Sequence, residues 1–154
     1  MKKMILLNPG PVCTSERVRN ALLRGDMCHR EREFSEILDG VRKKILQAFT
    51  PHGEFTTVVI TGSGTASLEA GVCSSVSEGK KLLVIDNGVY GDRISRIASA
   101  YKIDKEVLKF DWLGQPDIAR IEETVSKDED IEVVAMVHHE TTTGLINPVH
   151  RIGE

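Results

Sequence analysis

No basic stripe runs through this sequence, and aromatic residues are scarce. Lys and Arg are scattered, the net charge is −3, and one Trp, two Tyr and four Phe make up the aromatic content. The cationic surface with interleaved rings that nucleic acid requires is missing, so nucleic acid is not an expected partner. Long apolar runs are missing too. Met1-Lys2-Lys3-Met4-Ile5-Leu6-Leu7 joins a basic start to an apolar stretch, but Asn8-Pro9-Gly10-Pro11 cuts it off. What remains is too short for a signal peptide or a membrane span. The expected compartment is the cytoplasm, with no membrane partner. Cysteine is limited to Cys13, Cys28 and Cys73. An odd count without paired spacing fits neither a disulfide framework nor a zinc site. These thiols read as small buried or half-buried residues in a reducing compartment. No ligand spacing supports a metal. There is no internal repeat, low-complexity segment or linker.

What is present is an ordinary globular composition, 40% hydrophobic and 28% charged, in a chain of one-domain size. Residues 1–14 read as an extended arm, because Pro9 and Pro11 bar a helix. Residues 15–154 read as one incomplete domain. Thr14 or Ser15 can cap a short helix to about Arg24, with Val18, Ala21 and Leu22 as its buried face. A longer helix is expected from about Glu31 to Phe49. Phe34, Ile37, Leu38, Val41, Ile45 and Phe49 form its stripe, and Pro51-His52-Gly53 ends it.

From there strands and helices alternate. Thr56–Ile60 reads as a strand leading into Gly62-Ser63-Gly64-Thr65 and a helix of about ten residues. Leu82–Ile85 is a continuous apolar strand, followed by a loop at 86–91 and a helix with Ile94, Ile97, Ala98 and Tyr101 inward. Glu106–Phe110 reads as a strand, and Pro116 as the first helical residue before Ile118, Ile121 and Val125. Ile131–Val137 is the last strand. It runs into His138-His139-Glu140-Thr141-Thr142-Thr143-Gly144. Residues 148–154 begin another helix with Ile152 inward. This alternation implies an α/β fold, a mostly parallel sheet with helices on both faces. Ligands in such sheets sit beyond the C-terminal strand ends, where the polar loops 61–65, 86–91 and 138–144 fall. The apolar surface that residues 148–154 would leave uncovered suggests the front part of a longer protein.

The glycine turn is an anion cradle in outline, with unpaired N–H groups at a helix N-terminus and hydroxyls from Ser63 and Thr65. Three readings of it stay open. Gly62-x-Gly64-x-x-Ser67 with Asp86 mimics a dinucleotide fingerprint, although Ser67 stands where close packing wants Gly or Ala. A Walker loop is excluded, since no Gly-Lys-Ser/Thr comes after it. The turn can also be a capped helix start without a ligand. Tyr90 between Gly88 and Gly91, and Thr141 to Thr143 at a third strand end, add a ring and hydroxyl donors. Pyridoxal phosphate, a flat ring with one phosphate and one phenolic oxygen, needs such a set.

Five segments resemble the class V, fold type I pyridoxal-phosphate aminotransferases, in that family's order. They are Leu6-Leu7-Asn8-Pro9-Gly10-Pro11, His29-Arg30-x-x-x-Phe34, Gly62-Ser63-Gly64-Thr65-x-x-x-Glu69-Ala70, Asn87-Gly88-Val89-Tyr90-Gly91-Asp92-Arg93 and His138-x-Glu140-Thr141-Thr142-Thr143-Gly144-x-x-Asn147-Pro148. The last resembles the branch of 2-aminoethylphosphonate–pyruvate transaminases, whereas alanine–glyoxylate and serine–glyoxylate relatives tend to differ there.

The resemblance implies the N-terminal part of a large domain in three α/β/α layers, with pyridoxal 5′-phosphate as cofactor. Ser63, Gly64 and Thr65 would hold its phosphate, Tyr90 would stack on its ring and Thr141 would bond its phenolic oxygen. Asn8, Pro9 and Gly10 would line the approach for substrate. It also implies a homodimer. The implied reaction moves an amino group from 2-aminoethylphosphonate to pyruvate, giving phosphonoacetaldehyde and L-alanine. The Schiff-base Lys of the family, the Asp partner of the ring nitrogen and the small domain have no counterpart in these residues. No catalytic residue is therefore assigned, and the chain alone is expected to bind without turnover. His29, His138 and His139 carry no assigned role.

Overall fold

The computed structural model describes residues 4–50 and 54–154. The chain divides into two compact units, residues 1–61 and 62–154.

In the first unit, residues 4–15 form no helix or strand. Helix α1 (Glu16–Ala21) starts where the Ser15 hydroxyl accepts the Val18 N–H at 3.4 Å. It is shorter than the expected run to Arg24, and its apolar face is not buried: Val18 and Leu22 are exposed. A helix of under two turns presents too little surface to dock. Helix α2 (Arg32–Phe49) has Glu31 at its N-cap and matches the expected span closely. Phe34, Ile37 and Leu38 are half-buried, but Val41, Ile45 and Phe49 are exposed. The expected stop at 51–53 lies outside the described residues. Residues 56–60 are not a strand. They pair with no strand among the described residues, and Val58, Val59 and Ile60 are exposed. A β-branched run favours extended backbone, but only a neighbouring ladder turns it into a sheet. Cys13, Cys28 and Cys73 are all exposed, against the expected burial.

The second unit holds the sheet. Helix α3 (Gly64–Ser75) is followed by strand β1 (Lys81–Asp86), helix α4 (Val89–Ala100) and strand β2 (Asp104–Lys109). Helix α5 (Ile118–Lys127) and strand β3 (Ile131–Met136) come next. The chain then makes a hairpin of β4 (His139–Glu140) and β5 (Leu145–Ile146) and a short helix α6 (Val149–Gly153). The sheet order is β2-β1-β3, all parallel, with Lys81 opposite Asp104 and Ile131, and Ile85 opposite Leu108 and Met136.

β1 is central and apolar, and Leu82 to Ile85 are fully buried. Its alternation feeds two cores. Leu82 and Val84 pack with Val72 of α3 and with Ile94, Ile97 and Ala98 of α4. Leu83 and Ile85 pack with Leu108 and with Ile121 of α5, and Ile152 of α6 joins them. The layers are thus helix, sheet, helix, as expected. Each fully buried Leu, Ile or Val contributes up to roughly 1.5–3 kcal/mol.

Three details differ from expectation. Tyr101 is exposed at the end of α4, where its hydroxyl donates to Glu69 Oε2 at 3.1 Å. That carboxylate holds the phenol above its ordinary range. Pro116 lies before α5 rather than in it. Asp117 is the cap, accepting from the Ala119 and Arg120 N–H groups. Tyr90 is not on a loop but in the first turn of α4. Gly91 allows that turn to press onto β1, since a Cβ there would stand 2.9 Å from Asp86 Cα.

Candidate functional site

The start of α3, the first turn of α4 and the segment after β3 surround a cleft of about 550 Å³. This volume is within the usual range for small-molecule sites. Its walls are Gly64, Thr65 and Leu68 of α3, and Tyr90, Arg93 and Ile94 of α4. Met136, Val137, His138, His139 and Thr141 complete them. No acidic side chain is among these walls.

The sequence outlines an anion cradle at the start of α3, and the local geometry supplies its donors. Ser63 is the N-cap in extended conformation, and its Oγ accepts the Ala66 N–H at 3.2 Å. The Gly64 and Thr65 N–H groups, at the first two helical positions, have no intrahelical acceptor. They stand at the positive end of the helix dipole. Thr65 Oγ1 accepts a bond from Arg93 Nη1 at 3.3 Å. The Arg93 guanidinium also lies 4.8 Å from the Tyr90 ring centroid, a cation–π distance. Arg93 is the permanent cation of the cleft, and it has no salt-bridge partner among the described residues. A phosphate fits this donor set: two free N–H groups, a threonine hydroxyl and a guanidinium on one side of an apolar cleft. A flat ring fits the Tyr90 side.

Behind the cleft lies a buried polar layer. Asn87 and Asn147 exchange amide bonds, Nδ2 to Oδ1, at 2.9 and 3.1 Å. Asn147 Nδ2 also donates to the Val137 carbonyl at 2.7 Å. Glu140 Oε2 accepts the Tyr90 N–H at 3.0 Å, and its Oε1 accepts the Thr142 hydroxyl at 2.6 Å. Asp86, the ribose partner in the dinucleotide reading, is buried, and its Oδ1 faces the Gly88 N–H at 3.4 Å.

Of the residues singled out from sequence, Gly64, Thr65, Tyr90 and Thr141 meet at one cleft. Ser63 caps the helix behind it. Asn8, Pro9 and Gly10 belong to the first unit, in an exposed bend at residues 8–11. His138 and His139, left without a role, line the cleft. Arg93 and Glu140 were missed as individual residues. Arg93 lies three positions after Tyr90, a same-face spacing that is visible once α4 starts at Val89. Glu140 gave a weaker sign: a lone acid before three threonines.

Known proteins share both the sequence and the shape. The 2-aminoethylphosphonate–pyruvate transaminase of Vibrio vulnificus (strain YJ016) is 42% identical over 146 residues, covering 94% of this chain and 40% of that protein. Its namesake from Syntrophobacter fumaroxidans is 40% identical over 149 residues, covering 97% and 40%. The solved structure of pyridoxamine-pyruvate aminotransferase from Mesorhizobium loti superposes with a TM-score of 0.87 at 25% identity, over 97% of this chain and 38% of that one. The chain therefore spans about 40% of the length of the curated relatives it matches. The family implies pyridoxal phosphate as cofactor, in keeping with the donor set of the cleft. The class-V aminotransferase model matches residues 15–154, and the chain belongs to that family.

Proposed function

We propose that residues 15–154 form part of the cofactor-binding domain of a transaminase that moves an amino group from 2-aminoethylphosphonate to pyruvate. The products are phosphonoacetaldehyde and L-alanine, the whole protein being a cytoplasmic homodimer that serves phosphonate breakdown. The observation that carries the reading is the meeting of the α3 N-terminus, Tyr90 and Thr141 around one cleft. The names of the relatives supply the substrates.

Bound pyridoxal phosphate supplies an electron-withdrawing ring that can carry an amino group between two substrates. The chain's own residues bind and orient. Gly64 and Thr65 offer N–H groups and a hydroxyl to the phosphate, and the α3 dipole favours its charge. Arg93 adds a guanidinium beside the same hydroxyl. Tyr90 offers a ring face at the helix start, and Thr141 a hydroxyl in the segment after β3. Leu68, Ile94, Met136 and Val137 make part of the wall apolar, which excludes water and strengthens each polar contact.

Binding is the property to test on these residues. Pyridoxamine 5′-phosphate suits the purpose, because it has no aldehyde to react with surface lysines. Equilibrium dialysis of the 154-residue chain is expected to show saturable binding with competition from inorganic phosphate. Thr65→Ala and Tyr90→Ala should each weaken it by about tenfold, the scale of one lost hydrogen bond to a charged group or one lost stacking face. Binding indifferent to both substitutions would place the ligand elsewhere and sink the reading.

A further inference from the structure

We infer that Glu140 is a positioning residue that caps α4 from another part of the chain and so fixes the Tyr90 ring relative to the Thr141 hydroxyl. The inference rests on the cofactor reading above.

Helix α4 lacks a cap of its own. Its N-cap residue is Gly88, which has no side chain to accept a first-turn N–H. Glu140, fifty residues beyond Tyr90, does that work: its Oε2 accepts the Tyr90 N–H. A carboxylate at that end of a helix also opposes the positive dipole. Gly88 makes the arrangement possible by leaving space. Its backbone is extended (φ 170°), which any residue can adopt. A Cβ there would lie 2.4 Å from Glu140 Cγ and 2.6 Å from Oε2. A serine or aspartate cap is excluded by the carboxylate that replaces it.

Glu140 also organises the turn after β3 that carries Thr141. Its Oε1 accepts the Thr142 hydroxyl, and its backbone carbonyl accepts the N–H groups of Thr143 and Gly144 at 3.1 and 2.8 Å. These bonds close the turn that carries Thr141. The residue is 0% exposed, has no Lys or Arg partner among the described residues, and does not line the cleft. Burial of a carboxyl group is costly unless donors satisfy it, so the Tyr90 N–H and the hydroxyl of Thr142, next to Thr141, are drawn to one point. One side chain thereby sets the spacing between the ring platform and the hydroxyl.

The test uses the full chain and two readouts, amide hydrogen exchange at Tyr90 and dialysis against pyridoxamine 5′-phosphate. Glu140→Gln keeps an acceptor for the Tyr90 N–H and can donate to the Thr142 oxygen. Glu140→Leu removes both acceptors at similar volume. Gly88→Ala drives the carboxylate aside without altering it. Glu140→Leu and Gly88→Ala are expected to speed Tyr90 exchange by about tenfold or more and to weaken ligand binding by about tenfold, the scale of a lost bond to a charged group. Glu140→Gln should stay within about threefold of wild type in both, and β1 amides should keep their protection in every variant. Unchanged Tyr90 exchange in Glu140→Leu would overturn the inference. So would a Glu140→Gln variant as impaired as Glu140→Leu, or protection lost equally along β1, which would make Glu140 a support of the whole fold. If wild type takes up no pyridoxamine 5′-phosphate, the cofactor reading fails and the role toward the cofactor fails with it. Exchange at Tyr90 then still decides whether the cap exists.

Discussion

Helices α2 and α5 read alike in the sequence, yet only α5 has a fully buried residue in its apolar stripe. Both carry apolar residues at spacings of three and four. Ile121 of α5 is 3% exposed against the sheet, whereas Phe49 of α2 is 81% exposed. The two extended runs contrast in the same way. Leu82–Ile85 is the central strand with paired neighbours on both sides, and Val58–Ile60 pairs with nothing among the described residues. Periodicity fixes which face of an element is apolar. It does not supply the partner surface that makes the face a core. The cleft is built wholly in the second unit, whose walls are elements with such partners.

The largest expected effect tests the packed side of this contrast. Leu83→Ala removes a fully buried side chain from the core shared with Ile85, Leu108 and Ile121. A loss of about 2–5 kcal/mol is expected, read by denaturant titration of the second unit. A loss below about 1 kcal/mol would mean that the sheet core is loosely packed and the contrast is overstated. A smaller effect compares like with like. Ser63 and Ser15 are both N-caps, accepting at 3.2 and 3.4 Å. Ser63→Ala should cost about 1 kcal/mol, because α3 packs on the sheet through Val72. Ser15→Ala should lower the helical signal of α1 alone and leave the main unfolding transition in place. Equal shifts from both would erase the distinction.

Elements with a strong local signal were legible. The α2 span and the apolar β1 run were readable to within a residue or so, because each rests on a pattern that acts locally. Tyr90 and Thr141 were readable together, because a parallel sheet gathers the segments after its strands, here β1 and β3, on one side. Thr65 joins them at the same cleft without a strand before it among the described residues, through the start of α3. Arg93 and Glu140 were not readable. Their roles depend on the start of α4 falling at Val89, and on a carboxylate crossing fifty residues to reach it. The strand expected at 56–60 failed for the converse reason, its propensity being real and its partner absent among the described residues.

A subtler effect belongs to pH. Lys81, at the start of β1, bonds Asp128, just before β3, at 2.7 Å, and both are half-buried. The Lys81 ammonium, then the Asp130 N–H, holds the Asp128 carboxyl below its usual range, and Asp128 raises Lys81 in turn. A depressed carboxyl contributes stability above its unfolded value of about 4 and loses it as pH falls through the lower folded value. A raised lysine contributes below about 10 and loses it as pH climbs further. The advantage of wild type over Asp128→Asn should therefore be level from about pH 5 to 9 and fall progressively as pH drops below about 4. Thermal melts across pH check it. The exposed Arg32–Glu36 pair on α2 is the control, and Glu36→Gln should leave the melting temperature unchanged at every pH.

The smallest expected effect presses hardest on the contrast. Phe49 ends the α2 stripe and leaves most of its ring in water. Replacing it by alanine removes little buried surface, and alanine is the better helix former. The expected change in stability of the 154-residue chain is within about 0.5 kcal/mol of zero, read in the same denaturant titration as Leu83→Ala. Ile45→Ala, one turn earlier, should cost slightly more, because Ile45 is less exposed than Phe49, 37% against 81%. A cost of about 2 kcal/mol or more for Phe49→Ala would give the stripe the energetics of a core. It would mean that in solution something covers α2, and the difference between the two helices would then be one of partner rather than of burial.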